Sequence, residues 1–235
     1  ARSDVMLIPD FPAPYTISAS NLAIPKRYKS KVKLIGPVVS GGLSRPASGG
    51  PLNSSLFFAS RKSVIYAAVS GPKTERTVLA NLLYDALTRF PGEYEIVVSR
   101  GEPNGRSDPV RRANLTVYDW VEDQDELLRA SSLVISRAGH GTIMKAIMLG
   151  KPMILIPIPD HTEQYGNAKR ASQLDLAEVI PQRELTAERL LHATRKMLDR
   201  PLGRTQTLKS RTPFSEAVAI AALEIEAVAS DGRKS

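Results

Sequence analysis

The chain has 235 residues, 42% of them hydrophobic and 24% charged, with no cysteine and a net charge of +8. That balance excludes a wholly disordered chain, and the missing cysteines exclude disulfides and thiolate metal sites. No apolar run approaches the roughly 20 residues that cross a bilayer.

In chain order, the start ARSDVMLIPD lacks a signal peptide's basic, apolar and cleavage-site pattern, so a cytoplasmic location is expected. DVMLIPDFPAPYTI (4–17) passes from an apolar run straight into prolines and reads like the last strand of an upstream unit; KVKLIGPVV (31–39) is a second extended run. Residues 40–60 have the Gly, Ser and Pro content of a flexible loop or linker. The pattern then becomes regular. SVIYAAV (63–69) is a buried-strand candidate, followed by a Ser70-Gly71-Pro72 turn and an amphipathic helix carrying Leu79, Leu82, Leu83 and Leu87. YEIVVS (94–99) is a strand, 102–114 a basic loop, and LTVYDW (115–120) a strand, with a short helix near 124–130. LVIS (133–136), a helix over 140–150 stopped by Gly150 and Pro152, MILIPI (153–158), a helix over 163–175 and AEVI (177–180) complete the alternation. Thr186 caps the next helix, and SEAVAIAALEIEAVA (215–229) is a last one, with Val218, Ala221, Ala222, Ile225 and Val228 on one side. Apolar β runs alternating with helices predict an α/β fold: a doubly wound, Rossmann-like parallel sheet with helices on both faces.

In such sheets ligands lie beyond the carboxyl ends of the strands. Four loops there carry polar groups: Ser70-Gly71, Asp119-Trp120-Val121, Arg137 to Thr142, and Asp160 to Gln164. The turn at Gly139 and Gly141 opens a helix whose first N–H groups lack internal partners, which suits a phosphate. The same glycines also fit a plain strand-to-helix turn capped by Thr142, and His140 reads as either a phosphate contact or a turn residue. The dinucleotide fingerprint G-x-G-x-x-G fails at Met144. Asp123-Gln124-Asp125 imitates a metal-binding D-x-D, but its place at a helix start favours capping, so no metal site is expected.

SRAGHGTIMKAIMLGKPMILIPIPDHTEQYGNA (136–168) resembles the donor-sugar segment of GT-B glycosyltransferases. Within that group it is similar to the lipid II-forming N-acetylglucosaminyltransferases, the UDP-glycosyltransferases and related archaeal enzymes. The likeness runs over about residues 60–200, and DVMLIPDFPAPYTI and KVKLIGPVV resemble the passage out of an acceptor domain. It implies four parts: an acceptor-domain remnant and connection over 1–39, a linker over 40–60, a donor-binding domain over 61–205, and a C-terminal helix packing back over 206–235.

The resemblance also implies roles. Trp120 and Val121 fall on the nucleobase site, Arg137, Gly139, His140, Gly141 and Thr142 on the diphosphate loop, and Glu163, Gln164 and Asn167 on the sugar site; Ser70 and Gly71 are substrate-binding candidates from their place after the first strand of the sheet. Arg137 is expected to stabilise the leaving diphosphate. Lys145 departs from the family, which has a glutamate there that grips both ribose hydroxyls. The implied activity is metal-independent transfer of a hexose or N-acetylhexosamine from a nucleotide diphosphate sugar, by preference a UDP-sugar, to a hydroxyl that can be lipid-linked. No cofactor is expected, and the general base belongs to an acceptor domain or partner subunit. The alternatives are a non-catalytic donor-binding subunit, a nucleotide-sugar 2-epimerase, and a nucleic-acid binder, the last disfavoured by the lack of stacking or zinc-finger motifs. Arg100, Arg106, Arg111 and Arg112 form either a solvated face or a contact with an anionic membrane surface.

Overall fold

A computed structural model describes residues 5–38, 62–106, 108–200 and 214–231. The linker over 40–60 and the stretch around 206–213 lie outside those residues. Strand β1 (Met6–Ile8) pairs parallel with β2 (Val32–Leu34), Met6 opposite Val32. The chain between them folds into short 3-10 turns at Ser18–Ser20 and Lys26–Lys31.

The main body runs β3 (Ser63–Ala68), α1 (Lys73–Leu87), β4 (Tyr94–Ser99), β5 (Val110–Arg112), β6 (Leu115–Tyr118), α2 (Gln124–Ala130) and β7 (Leu133–Ser136). It continues through α3 (His140–Met148), β8 (Met153–Leu155), α4 (Thr162–Gln173), β9 (Ala177–Val179), α5 (Ala187–Leu198) and α6 (Phe214–Asp231). Seven strands form one sheet in the order β5-β6-β4-β3-β7-β8-β9, parallel except for β5. The chain thus builds outward from β3 through β4 to β6, then returns to lay β7, β8 and β9 on the other side. That reversal places a topological switch between β3 and β7, where the outgoing loops diverge and leave a crevice.

The predicted α/β doubly wound sheet is present, and its two-residue period sets the core. Ile65, Ala67, Ile96 and Ile135 face α1 and α5 through Leu79, Leu83, Leu190 and Met197. Tyr66, Val97 and Val134 point the other way, onto Leu127, Ile143, Ile147 and Ala168 of α2, α3 and α4. Phe11 and Ile17 from the N-terminal segment are buried in this second cluster. Helix ends follow their capping residues: the Asp123 carboxylate accepts from the Glu126 amide at 2.9 Å, Thr186 Oγ1 accepts from Arg189 N at 3.2 Å, and Gly150 takes φ +68° just beyond α3.

Two expectations change. Part of the basic loop is the antiparallel edge strand β5, which holds Arg111 and Arg112 against Thr116 and Leu115. On α6, Ala217 is buried and Glu224 pairs with Lys33, but Val218 and Ile225 of the anticipated inner side stand exposed.

Candidate functional site

The loops after β3 and β7 flank the switch point. After β3, Gly71 adopts φ +113°, and a side chain there would also press on Ile158 at 3.2 Å. The positive φ favours glycine, the Ile158 contact adds a tight fit, and the Ser70-Gly71 turn is exposed. After β7, Gly139 is extended and serves as N-cap of α3 with no side-chain cap. A Cβ added at Gly139 or Gly141 would meet nothing within 4 Å. Open space therefore lies beside Gly139 and Gly141 at the start of α3, with His140 and Thr142 half-buried next to it. Unpaired N–H groups and the positive end of the helix dipole favour an anion there.

Two residues assigned to ligand do something else. Arg137 is only 1% exposed, and its Nη1 donates to the carbonyls of Ile156 and Pro157, both at 3.2 Å. Its Nη2 donates to the Glu75 carbonyl at 2.9 Å and lies 3.6 Å from the Glu75 carboxylate. Desolvation lowers the pKa of this guanidinium and the Glu75 charge partly restores it. Arg137 is thus a brace knitting α1 to the loops after β7 and β8, and it does not face an incoming diphosphate. Asn167 is fully buried, donates to the Ala138 carbonyl at 3.2 Å and accepts from Asn21 Nδ2 at 3.1 Å. Each end of its amide already has a protein partner, and the fully buried side chain shapes the glycine turn.

The acid-amide pair divides. Gln164 is largely buried, and its Oε1 accepts from Ile158 N at 3.0 Å, which leaves its NH2 group as the donor for a ligand. Glu163 is exposed on the first turn of α4, where His161 caps by accepting from Gln164 N at 3.4 Å. The Arg137 and Asn167 bonds tie the loops after β7 and β8 together at one end of the sheet, so the glycine turn and the acid-amide pair share that end.

At the third loop, Trp120 is 41% exposed, while the Val121 side chain is buried in the core. Asp119 shapes the loop: its Oδ2 accepts from Arg106 N at 2.9 Å and its Oδ1 lies 3.4 Å from Arg100 Nη1. Lys145 Nζ is 2.6 Å from Asp125 Oδ1 in a half-buried ion pair, so its charge is already engaged. The carboxylates of the D-x-D stretch do not converge, since Asp123 caps α2 and Asp125 meets Lys145.

Sequence reasoning missed the residues that these groups lean on. Glu75 and Asn21 are remote in the chain and carry no motif, and Asp125 sits in the D-x-D stretch, whose pattern does not mark it as the partner of Lys145. Asp10 is the most informative omission. It is fully buried just after β1, and its Oδ2 lies 3.2 Å from His140 Nε2. The rule that selected the other loops, polar groups at carboxyl ends of strands, selects Asp10 as well.

Residues 72–222 match the glycosyltransferase family 28 C-terminal domain. The chain belongs to that family. This family 28 domain is 26% identical over 71% of its length to an uncharacterized glycosyltransferase of Methanosarcina acetivorans, 41% of which is covered. It is 36% identical, over 49% of the chain and 29% of the relative, to the UDP-N-acetylglucosamine–N-acetylmuramyl-(pentapeptide) pyrophosphoryl-undecaprenol N-acetylglucosamine transferase of Bacillus cytotoxicus. Among solved structures it is similar to the calicheamicin glycosyltransferase CalG4, with a TM-score of 0.67 and 17% identity over 97% of this chain and 54% of that one. That last likeness shows the GT-B fold. The family 28 domain spans less than half the length of these curated relatives.

Proposed function

We propose that this family 28 domain binds a nucleoside diphosphate sugar, with UDP as the nucleotide, as the donor half of a hexosyltransferase. The supporting observation is the open glycine turn at the switch point. Open space flanks Gly139 and Gly141 at the uncapped start of α3, on the same end of the sheet as the Gln164 amide and Glu163.

In this reading the diphosphate sits on the first turn of α3. The helix end and the Thr142 hydroxyl meet charge that grows on the departing diphosphate as the glycosidic bond breaks. The helix terminus supplies the neutralisation that a divalent metal supplies in other transferases. Trp120 offers an exposed ring for the base, and Gln164 and Glu163 read sugar hydroxyls through one donor and one acceptor. Ser70 and Gly71 close the opposite wall. A general base and the acceptor site belong to a second unit, either more of the same polypeptide or a partner subunit. The acceptor is a hydroxyl, with a lipid-linked one supported by the undecaprenol in the name of the Bacillus relative. Such an acceptor brings the complete enzyme to an anionic membrane surface, the cytoplasmic one. Among the described residues no helix is long and apolar enough to cross a membrane.

Calorimetric titration with UDP, TDP, GDP and ADP, alongside UMP, tests the reading. The expected result is tightest binding of UDP with at least about a tenfold loss for UMP, as for removal of a charge-assisted contact. Absence of binding by all four diphosphates would contradict it.

A further inference from the structure

Asp10 and His140 are 130 positions apart in sequence, yet they meet at the mouth of α3. The carboxylate is held from several sides. Oδ1 accepts from Phe11 N at 2.7 Å and Ile17 N at 3.1 Å, and Oδ2 accepts from Ser18 N at 2.8 Å and Ser18 Oγ at 2.5 Å. The segment carrying it is fastened in turn to α4. Arg170 Nε donates to Thr16 O at 3.0 Å, its Nη2 donates to Pro14 O, and a side chain at Gly166 would strike Ser20 Oγ at 2.5 Å. Asp10 is therefore a fixed, fully buried acceptor, and His140 Nε2 lies 3.2 Å from its Oδ2, a buried ring nitrogen with no hydrogen bond of its own and this carboxylate beside it.

An acceptor-only partner selects the imidazole form that carries a proton on Nε2 and restrains the ring. His140 is the first residue of α3, beside the unfilled space over Gly139 and Gly141. We propose that Asp10 is a positioning residue that holds the His140 imidazole through Nε2–H, so that its second nitrogen, Nδ1, serves the diphosphate at the mouth of α3. This rests on the donor reading above. It gives the buried carboxylate a role beyond fastening the N-terminal segment: it acts through His140 on the phosphate side of the site.

Two measurements on the full chain test it. In a histidine nitrogen–carbon two-bond correlation spectrum, the ligand-free parent is expected to show a His140 signal with Nε2 protonated, and Asp10→Asn to shift it. In a double-mutant cycle, Asp10→Asn and His140→Gln are each expected to weaken UDP about tenfold while UMP changes far less, and the double variant to be no weaker than either. A purely structural Asp10 predicts otherwise: a loss shared equally by UDP and UMP, or losses that add in the double variant. Either outcome, or a His140 signal lacking the Nε2 proton, overturns the proposal. If Asp10→Asn does not fold, the parent spectrum and the UDP-against-UMP comparison in His140→Gln decide alone. A His140 signal that answers to Asp10 in a parent that binds no UDP would instead overturn the donor reading, and with it the role of Nδ1.

Discussion

Arg137 and Gly139 are two residues apart in one loop and have opposite environments. The guanidinium is enclosed by three carbonyls and a carboxylate, whereas the glycine looks into unfilled space. The same division repeats on α4, where Asn167 is consumed by Asn21 and Ala138 and Glu163 is free on the surface. A binding loop thus contains two kinds of polar residue. One kind satisfies the backbone groups that an irregular loop leaves unpaired, and the other is left for ligand. Changes to the first kind should register in stability, and changes to the second in affinity.

The largest effect is expected from Arg137→Ala, which strands the Ile156, Pro157 and Glu75 carbonyls. A loss of about 3 kcal/mol in urea unfolding is predicted. A near-neutral result together with lost UDP binding would move Arg137 back among the ligand-facing residues. Asn167→Ala removes two hydrogen bonds, one buried and one partly buried, and should cost about 2 kcal/mol by the same measurement. Gly141→Ala inverts the pattern. A methyl group fits the open space and alanine suits a helix, so stability should hold or rise by about 0.5 kcal/mol. UDP affinity should fall about tenfold, because the phosphate loses its close approach to the backbone.

The smallest effect is a pH dependence. Burial raises the Asp10 carboxyl, but the nearby His140 ring and hydrogen bonds from the Ser18 hydroxyl and the Ser18 and Ile17 amides outweigh it and leave the folded pKa below the usual value. A depressed folded pKa means stability that is present above the unfolded value of about 3.9 and lost as pH falls through the folded one. Urea midpoints followed downward from pH 6 should therefore drop below about pH 4 more steeply in the parent than in Asp10→Asn.

Much of the fold was legible because its signals are local. The buried strands β3, β4 and β7 announce themselves by apolar runs, and α2, α3 and α5 by Asp123, Gly150 and Thr186 at their ends. β5 was not legible: an exposed edge strand of Val110, Arg111 and Arg112 has no apolar alternation to read. The α6 stripe misled for the converse reason, since periodicity marks an apolar side but not what covers it. The candidate loops were singled out by their place after the strands, where the sheet does put them. Which of their side chains are already held by other protein groups was not legible, because the partners of Arg137, Asn167 and Lys145 come from Glu75, Asn21 and Asp125, fixed only by tertiary packing.

Amide chemical-shift mapping of the full chain during UDP titration decides whether the glycine turn seats the diphosphate. The largest shifts are expected on the amides of Gly139, His140, Gly141 and Thr142 and on the Trp120 indole, with UMP moving the indole but scarcely the glycine turn. Shifts confined to the Arg100–Arg112 face, or a glycine turn that does not respond to UDP, would contradict it.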